Sequence, residues 1–287
     1  MSLIETSENK LQSNSIAAAV SQTLLENSAA ALATLIETAA DSQNNIGSKL
    51  LVRESGIAGS AVGSLGSDEL DRVAVEQAAK FLESRADTRV FQVKEFAPKL
   101  AEWSEAKILF ERVEAEPRLV ICGAGHVGAA LGKLASLMGY HATLIDDRAE
   151  FVSRQNFPEK NIELVAAEDW SEAVKVAIGN GRGVSIAIVT RGHSEDEQCL
   201  RAVIGLLDVD YVGLIGSKRR TNIVLQRLRE NGAAEERLKR VHAPVGLDIG
   251  AVTPEEVALA IMAEIIAVRR GGKGGSLSEW RREREKG

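Results

Sequence analysis

The sequence predicts an α/β protein in which a C-terminal doubly wound parallel sheet of Rossmann-like type follows a smaller N-terminal α+β domain. The first observation is that apolar runs of strand length alternate with helix-length segments from residue 118 onward. Runs that are apolar throughout are typical of parallel strands covered on both faces. The second is a glycine-rich loop after the first run, and the third is a change of pattern near residue 114.

Size and charge narrow the classes of function. The chain has 287 residues, of which 45% are hydrophobic, so it can bury a core in each of two domains. A net charge of −6 argues against a nucleic acid or an anionic membrane as partner, because either would need a basic face. Two cysteines are too few for a disulfide framework, and we recognise no export signal or membrane span, so we expect a cytoplasmic protein.

The predicted N-terminal domain covers residues 1–114 and opens with a polar stretch, residues 1–26, that suggests a loose helix or arm. Its helical stretch is "DELDRVAVEQAAKFLES", whose apolar residues recur at intervals of three and four. The short apolar runs of this domain are "ALATLIETA", "SKLLVRE", "AGSAVGSLG", "RVFQVKEFAP" and "AKILFERVE".

The predicted Rossmann-like domain covers residues 118–270 and follows the linker "EAEP". Its last helix, "TPEEVALAIMAEIIAVRR", has Thr253 as N-cap, Pro254 at the first helical position and two glutamates in the first turn. Residues 271–287 are predicted to form a solvated, charged tail. The strands of this domain are predicted at "RLVICG", "HATLID", "IELVAA", "VSIAIVT", "YVGLIG" and "VHAPVG".

The glycine-rich loop matches G-x-G-x-x-G through Gly123, Gly125 and Gly128, between a strand and a helix. The first glycine allows a tight turn, the second lets the backbone approach a phosphate, and the third lets helix and strand pack closely. Amides at the helix start favour an anion. Asp146 ends the second strand about 23 residues later, near the distance expected for a carboxylate that binds a ribose hydroxyl.

Three other strands end in unusual loops, namely "VTRGHSEDE", "GLIGSKRRTN" and "VHAPVGLDIGAVTPEE". Because parallel strands present their carboxyl ends at one edge of a sheet, we expect these loops to meet the glycine loop there. A mildly acidic protein that gathers cations at this edge is expected to bind a polyanion. The candidate cofactor-binding residues are Gly123, Gly125, His126, Gly128, Asp146, Arg148, Arg191, Gly192, His193, Gly216, Ser217, Lys218, Arg219 and His242, with Arg220 beside them.

The candidate cations also have structural explanations. Arg191 and the run from Lys218 to Arg220 fit solvated charges in the first turn of a helix. Arg148, directly after Asp147, fits either a phosphate contact or an exposed salt bridge.

The histidines divide into two groups. His126 and His193 open helices beside glycines, which favours a functional role, whereas His141 begins an apolar strand and His242 fits a buried histidine bonded to backbone. No two of the loop histidines share an i, i+4 helix face, so we predict no metal site. A serine hydrolase is not indicated either, because no G-x-S-x-G elbow is present.

Five motifs, "GAGHVG", "DDR", "TRGH", "GLIGSKRR" and "HAPVGLDIGAVTPEEVALAIMAEI", resemble the XdhC/CoxI family in continuous order over residues 118–270. The N-terminal domain resembles the family more weakly, through "ALATLIETA", "GSKLLV" and "GSLGSDELD". The resemblance implies a non-catalytic accessory protein that binds molybdenum cofactor (molybdopterin) as cargo. Such a protein protects the cofactor while its terminal sulfur is installed and delivers it to a molybdenum hydroxylase of the xanthine dehydrogenase type. The implied partners are that hydroxylase and a cysteine desulfurase.

The sequence departs from the family at one position. Many relatives have a G-G-C-x-E segment whose cysteine is thought to touch the cofactor, and here Glu69 stands where that cysteine would be. Carboxylate is a harder ligand than thiolate and carries no persulfide, so sulfur transfer by this loop is in doubt. Cys122 and Cys199 are predicted to be buried, and Glu69 also fits the acidic first turn of a helix.

Two other functions remain open on the sequence. The glycine loop and Asp146 also fit an NAD(P)-dependent oxidoreductase, although no Tyr-x-x-x-Lys pair accompanies them. A binding or regulatory module that has lost cofactor handling is the other alternative, suggested by the missing cysteine. We expect a homodimer, because the short strands of the N-terminal domain have edges that need covering.

Overall fold

The structure is a computed structural model, and it describes residues 15–26, 28–38, 45–54, 61–84, 86–179, 183–206 and 209–278. The chain divides into two compact units, Met1–Ala115 and Glu116–Gly287. The fold class is the one that the sequence predicts, α/β with a parallel sheet in the second unit.

The first unit is built on an antiparallel sheet. Its strands are β1 (Ala30–Glu37), β2 (Lys49–Arg53), β3 (Ala61–Ser64), β4 (Thr88–Gln92) and β5 (Lys107–Val113), in the order β3-β2-β1-β5-β4. The helices are α1 (residues 15–25), α2 (Asp68–Glu83) and α3 (Val93–Phe96). Residues 1–14 of the predicted arm and residues 58–60 of the run "AGSAVGSLG" lie outside the described residues.

Helix α2 supplies one side of the core of this unit. The hydroxyl of Ser67 caps the helix by accepting a hydrogen bond from the N–H of Leu70. The apolar face then buries Leu70 and Phe81, and the ring of Phe81 lies 5.9 Å from that of Phe110 in β5. The amphipathic spacing in the sequence therefore produces the expected helix against a sheet.

The run "RVFQVKEFAP" does not form a single strand. Strand β4 ends at Gln92, and the carboxylate of Glu95 accepts a hydrogen bond from the Gln92 N–H at 3.2 Å. That bond satisfies an amide at the start of α3, so the chain can leave the sheet while Val93 stays fully buried.

The second unit contains a six-stranded parallel sheet in the order β11-β10-β9-β6-β7-β8. The strands are β6 (Arg118–Cys122), β7 (His141–Asp146), β8 (Ile162–Ala166), β9 (Val184–Ile188), β10 (Tyr211–Leu214) and β11 (Val241–His242). The helices are α4 (His126–Leu137), α5 (Trp170–Ile178), α6 (His193–Ile204), α7 (Lys218–Glu230), α8 (Glu235–Leu238) and α9 (Pro254–Arg270).

The sheet of the second unit is covered on both faces. On one face α4 and α9 pack through side chains such as Leu131 and Ile265, and on the other α5, α6 and α7 pack through side chains such as Val174 and Leu200. The central strands β6 and β9 are therefore buried on both sides, which explains their uninterrupted apolar sequences.

Helix α9 begins as the sequence predicts. The hydroxyl of Thr253 accepts from the Glu256 N–H at 3.3 Å, and the Glu256 carboxylate accepts from the Thr253 N–H at 3.0 Å. This capping box satisfies amides at the helix start, and Gly271 ends the helix in the left-handed conformation. Among the described helices, none combines the length and the apolar character needed to cross a membrane.

Candidate functional site

A cavity of about 370 Å³ opens where strands β6, β7, β9 and β10 end. The order β9-β6-β7 places the glycine loop, which follows β6, between the ends of its two neighbours. The start of α9 closes part of the rim through Pro254. Of the residues singled out from the sequence, the cavity is lined by Gly123, Gly125, His126, Asp146, Arg148, Arg191, Gly216 and Arg220.

The three glycines of the loop have different structural roles. Gly123 has φ of 112°, and a Cβ there would lie 2.6 Å from the carbonyl oxygen of Val189. A Cβ on Gly128 would collide with the carbonyl oxygen of Gly123, so this glycine lets α4 pack on β6. A Cβ on Gly125 would meet no protein atom within 4 Å. Gly125 therefore borders open space in the cavity, where a ligand can approach the backbone.

Asp146 is fully engaged inside the protein. It is 1% exposed, and its Oδ1 accepts from the N–H and Nε of Arg148 while its Oδ2 accepts from the N–H of Ala124 and Nη2 of Arg148. Burial raises the pKa of Asp146, but these hydrogen bonds outweigh burial and hold the pKa below its usual value. The carboxylate fixes the glycine loop and has no acceptor position left for a ribose hydroxyl.

Arg148 is held on two sides. Its guanidinium forms the bidentate pair with Asp146 and lies over the ring of Phe151, with Cζ 3.7 Å from the ring centroid. Its side chain is 29% exposed and lines the cavity. The salt bridge and the phosphate contact are thus compatible, because the pair with Asp146 aims a rigid guanidinium at the rim.

A second ion pair crosses the end of β6. Nη2 of Arg191, after β9, lies 2.8 Å from Oδ2 of Asp147, after β7. Both side chains are partly exposed and line the cavity, and Glu195 lies 3.9 Å from the same guanidinium. Arg191 is therefore a cation that lines the cavity beside the glycine loop and pairs with the carboxylate of Asp147.

Arg220 is committed to a buried carboxylate. Its Nη2 and Nε lie 2.6 and 3.0 Å from Oδ2 of Asp196, which is completely buried, and Thr190 donates its hydroxyl to Oδ1 at 2.5 Å. Burial raises the pKa of Asp196, and the bonds from Thr190 and Arg220 offset only part of that rise. This network ties the start of α7 to α6 and the end of β9, so Arg220 shapes the cavity wall.

Several candidates begin helices at the same edge without lining the cavity. Ser217 caps α7 by accepting from the Arg220 N–H at 3.2 Å, and Lys218 and Arg219 follow it on the exposed surface. His193 starts α6 and is exposed, and Gly192 lies against the Glu195 carboxylate. These residues share the edge but are not among those that line the cavity.

His242 belongs to a different cluster. Its ring lies 4.6 Å from that of Tyr211, and its Nδ1 lies 3.4 Å from Oε1 of Glu264. Oε2 of Glu264 accepts from the Tyr211 hydroxyl at 2.5 Å and from the Gly246 N–H at 2.9 Å. Burial, with this bond to Glu264, raises the pKa of Tyr211. The cluster fastens the loop after β11 to α9, and His242 pairs with a carboxylate rather than with backbone.

The two cysteines are buried, as the sequence predicts, and lie in the core of the second unit. A hydrogen bond with Cys122 and burial raise the pKa of the Cys199 thiol, so it stays protonated. Glu69 lies exposed in the first turn of α2, where a carboxylate suits the helix dipole. Within the part of the chain that the structure describes, no group of three or more His, Cys, Asp or Glu side chains is arranged to hold a metal ion.

Several residues that shape the site were not singled out from the sequence, four of them polar or aromatic side chains beside the charged groups. Asp147, Trp170 and Glu195 line the cavity, and Asp196 is buried behind it. The segments "DDR" and "SEDE", which follow two strand ends, indicate that carboxylates lie at this edge. They do not show which carboxylate pairs with which arginine. Trp170 starts α5 after β8, next to the edge that carries the glycine loop.

Fold and site define a protein with a Rossmann domain whose strand ends form a ligand-sized cavity, preceded by a small α+β unit. Comparison with protein families identifies the family that has this arrangement. Residues 119–265 match the XdhC Rossmann domain, and residues 24–93 match the XdhC and CoxI family. The chain therefore belongs to the XdhC and CoxI family.

Individual relatives are similar to parts of the chain. A protein of Escherichia coli K12 called YqeB is 33% identical over 232 residues, which are 79% of this chain and 41% of that protein. A Bacillus subtilis protein named as a probable xanthine dehydrogenase component is 28% identical over 163 residues, 57% of this chain and 46% of the relative. The chain thus spans less than half the length of these curated relatives. A crystal structure of a xanthine dehydrogenase from Bacillus halodurans is 18% identical, with a TM-score of 0.49 over 88% of this chain and 96% of that chain.

Proposed function

We propose that this protein is an accessory protein that binds molybdenum cofactor and assists its maturation and insertion into a molybdenum hydroxylase of the xanthine dehydrogenase type. It holds the cofactor as cargo and performs no chemistry on it. The observation that carries the proposal is the cavity at the glycine loop, which combines an open backbone approach at Gly125 with the guanidinium groups of Arg148 and Arg191.

The chemistry of the cavity suits a phosphorylated pterin. Amides at the start of α4 and two guanidinium groups favour a phosphate at the glycine loop. Trp170, which is 6% exposed and packed in the core of the unit, forms an apolar part of the cavity wall. A volume of about 370 Å³ is in the range of small-molecule sites in proteins.

The proposed client comes from the family and its relatives. The chain belongs to the XdhC and CoxI family, and the Bacillus subtilis relative is named as a probable component of xanthine dehydrogenase. A molybdenum hydroxylase of that type is accordingly the partner we propose. A cysteine desulfurase and a second copy of the chain are further proposed partners.

Sulfur chemistry on this chain would need an accessible thiol. The sequence has only Cys122 and Cys199, and both are fully buried. Glu69 replaces the cysteine of the family segment and lies exposed on α2. We therefore assign holding and delivery to this chain, with sulfur transferred to the bound cofactor by another protein.

The test of the proposal is direct detection of the cargo. The full chain is purified from cells that make molybdenum cofactor, denatured and oxidised, and the released material is examined for pterin fluorescence. We expect pterin in the wild type and a loss of at least about tenfold in Gly125→Ala, whose new methyl group enters the space meant for ligand.

One control variant and two contrary outcomes make this experiment decisive. Glu236→Gln removes an 85% exposed carboxylate of the same unit and is expected to retain the wild-type amount of pterin. Wild-type protein that contains no pterin and takes up no added cofactor would rule the proposal out. Saturable binding of NAD(P) in its place would favour the oxidoreductase alternative.

A further inference from the structure

A second cavity, of about 300 Å³, opens at the opposite end of the parallel sheet, where the strands begin. It is lined by residues at the starts of β9 and β10 and in the last turns of α9. Ser185 of β9 lies four residues before Val189, which lines the cavity at the glycine loop, so the two cavities are roughly 13 Å apart along the strand. Among the described residues none lines both, and the second cavity is therefore a separate place for a ligand.

Ser185 places a hydroxyl on the floor of the second cavity. This residue is 5% exposed and lies in register between Leu119 of β6 and Tyr211 of β10, on the side of the sheet that α9 covers. Within the described part of the chain, the Ser185 hydroxyl has no hydrogen-bond partner. A buried hydroxyl without a partner destabilises a fold, and alanine would fill this position without that cost. The unused hydroxyl therefore indicates a ligand that brings a hydrogen-bonding group into the cavity.

The second cavity is also lined by one charge of each sign. Asp210 directly precedes β10, and Arg269 lies in the last turn of α9. Burial raises the pKa of Asp210, and the positive charge of Arg269 offsets part of that rise, so the two groups lie near each other. A ligand in this cavity consequently meets a carboxylate and a guanidinium together.

The remaining walls are apolar. Ile265 and Val268, three positions apart on α9, form one side. The hydroxyl of Tyr211 is already bound to Glu264, so Tyr211 contributes its ring rather than a hydrogen bond. A volume of about 300 Å³ is at the lower end of the range of small-molecule sites, so the ligand is small.

The combination of groups limits the charge of the ligand. A simple anion would be repelled by Asp210, and a simple cation by Arg269. An uncharged apolar molecule would leave the hydroxyl of Ser185 without a partner. A molecule that carries both charges on a short aliphatic body meets every group that lines the cavity.

We propose that the second cavity binds a small zwitterion of the aliphatic amino-acid class. Its ammonium group lies at Asp210, and its carboxylate accepts hydrogen bonds from Arg269 and Ser185. Its side chain packs on Ile265 and Val268. The inference goes beyond the proposed function and does not rest on it, because the two cavities have separate linings.

Three matched probes test the charge requirement by NMR titration of the full chain at neutral pH. L-Valine carries both charges, 3-methylbutanoate lacks the ammonium group, and 2-methylpropylamine lacks the carboxylate. In the wild type we expect L-valine to bind with a dissociation constant of about 1 mM or lower, and at least about tenfold more tightly than either analogue. The largest shifts should occur at the amides of Ser185 and Tyr211.

Ser185→Ala separates a ligand contact from a structural role. This variant is expected to weaken the binding of L-valine about tenfold. Its free energy of unfolding, measured in urea, should not fall below that of the wild type, because the hydroxyl has no partner in the described part of the chain. It should also retain the wild-type amount of pterin, because Ser185 does not line the cavity at the glycine loop.

Two charge variants assign the contacts of the ligand. In Asp210→Asn the preference for L-valine over 3-methylbutanoate should fall below about twofold, because the partner of the ammonium group is gone. In Arg269→Gln the preference for L-valine over 2-methylpropylamine should fall by the same amount. Asp248→Asn, which changes an exposed aspartate of the same unit, should leave all three affinities unchanged.

The outcomes decide this inference independently of the cargo. If L-valine does not bind at about 10 mM, or binds no more tightly than its analogues, the zwitterion site is refuted. Equal affinity of Ser185→Ala and the wild type for L-valine would refute it as well. None of these results bears on the pterin experiment, and wild-type protein without pterin would leave the second cavity's ligand as proposed.

Discussion

Single residues at the end of β6 show how the glycines of one short motif meet different structural demands. Gly128 is needed because α4 lies directly on the glycine loop, and Gly123 because its backbone adopts a positive φ against Val189. Gly125 meets neither demand. The motif is therefore two structural glycines with one glycine between them that borders the open cavity.

A pair of substitutions separates these roles. Gly128→Ala is expected to lower the free energy of unfolding by about 1–3 kcal/mol, because its methyl group overlaps the carbonyl oxygen of Gly123. Gly125→Ala is expected to change that free energy by less than about 0.5 kcal/mol, because its methyl group meets no protein atom. Urea unfolding followed by circular dichroism measures both, and equal losses would contradict the assignment.

Asp146 is expected to make the free energy of unfolding depend on pH. Its pKa is lowered below the usual 3.8, so its contribution to stability is present above that pH and is lost as the pH falls through the lower, folded value. Asp146→Asn should reduce the free energy of unfolding at pH 7 by about 2 kcal/mol, because it breaks a largely buried pair.

The pH dependence provides the check. The difference in stability between wild type and Asp146→Asn, measured by urea unfolding, should be constant from pH 7 to about 5 and shrink below about pH 4. A difference that grows on acidification would show that the carboxylate is not stabilised in its charged form. Asp248→Asn, which changes an exposed aspartate of the same unit, serves as the control.

Whole elements are fastened to the site edge by buried polar groups. Helix α9 carries Glu264, which binds the Tyr211 hydroxyl of β10, the Gly246 N–H of the loop after β11, and His242. The position of this one carboxylate links a helix, a strand and a loop. The long motif "HAPVGLDIGAVTPEEVALAIMAEI" therefore has two structural roles. Glu264, near its C-terminal end, clamps the neighbouring strand and loop, and Pro254, where α9 begins, forms part of the cavity wall.

Removing this clamp should loosen a defined segment. Glu264→Ala is expected to destabilise the protein by about 2 kcal/mol, and Tyr211→Phe by about 1 kcal/mol, because the first change removes the shared acceptor and the second removes one of the bonds and leaves the others. Hydrogen exchange at the Gly246 amide should speed up in Glu264→Ala and stay nearly unchanged in Tyr211→Phe. Equal exchange in both variants would show that Glu264 does not hold the loop.

The whole molecule consists of two units, each with a core of its own. Leu70, Phe81 and Phe110 belong to a buried cluster of the first unit, and the two clusters that cover the parallel sheet consist of residues of the second. The link at residues 114–117 has no regular secondary structure. The second unit contains every residue that lines the candidate cavity.

A fragment experiment tests this division. Residues 116–287 expressed alone are expected to fold and to unfold in one cooperative transition, because the six-stranded sheet and both of its covering layers lie within them. Circular dichroism during heating measures the transition. A fragment that binds the dye ANS and melts without a sharp transition would show that the unit needs the rest of the chain.

Much of this architecture could be predicted from sequence because its causes are local. Apolar runs, the spacing of three glycines and the Thr253 cap each act within a few residues, and they fix element types and the sheet edge at which the cavity opens. The apolar run "RVFQVKEFAP" does not show where the strand ends and α3 begins, because the start of α3 depends on the contact between the Glu95 carboxylate and the Gln92 N–H.

The sequence by itself determined the fold class, the family resemblance and which strand ends meet, since these follow from periodicity and from the rules of parallel sheets. Only the tertiary structure decided which charges at that edge are already paired. Asp146 meets Ala124 22 residues away, Arg220 meets Asp196 across 24, and Arg191 meets Asp147 across 44. The strength of an ion pair or hydrogen bond depends on the distance between its two groups in space. The sequence does not contain that distance for groups on separate strands.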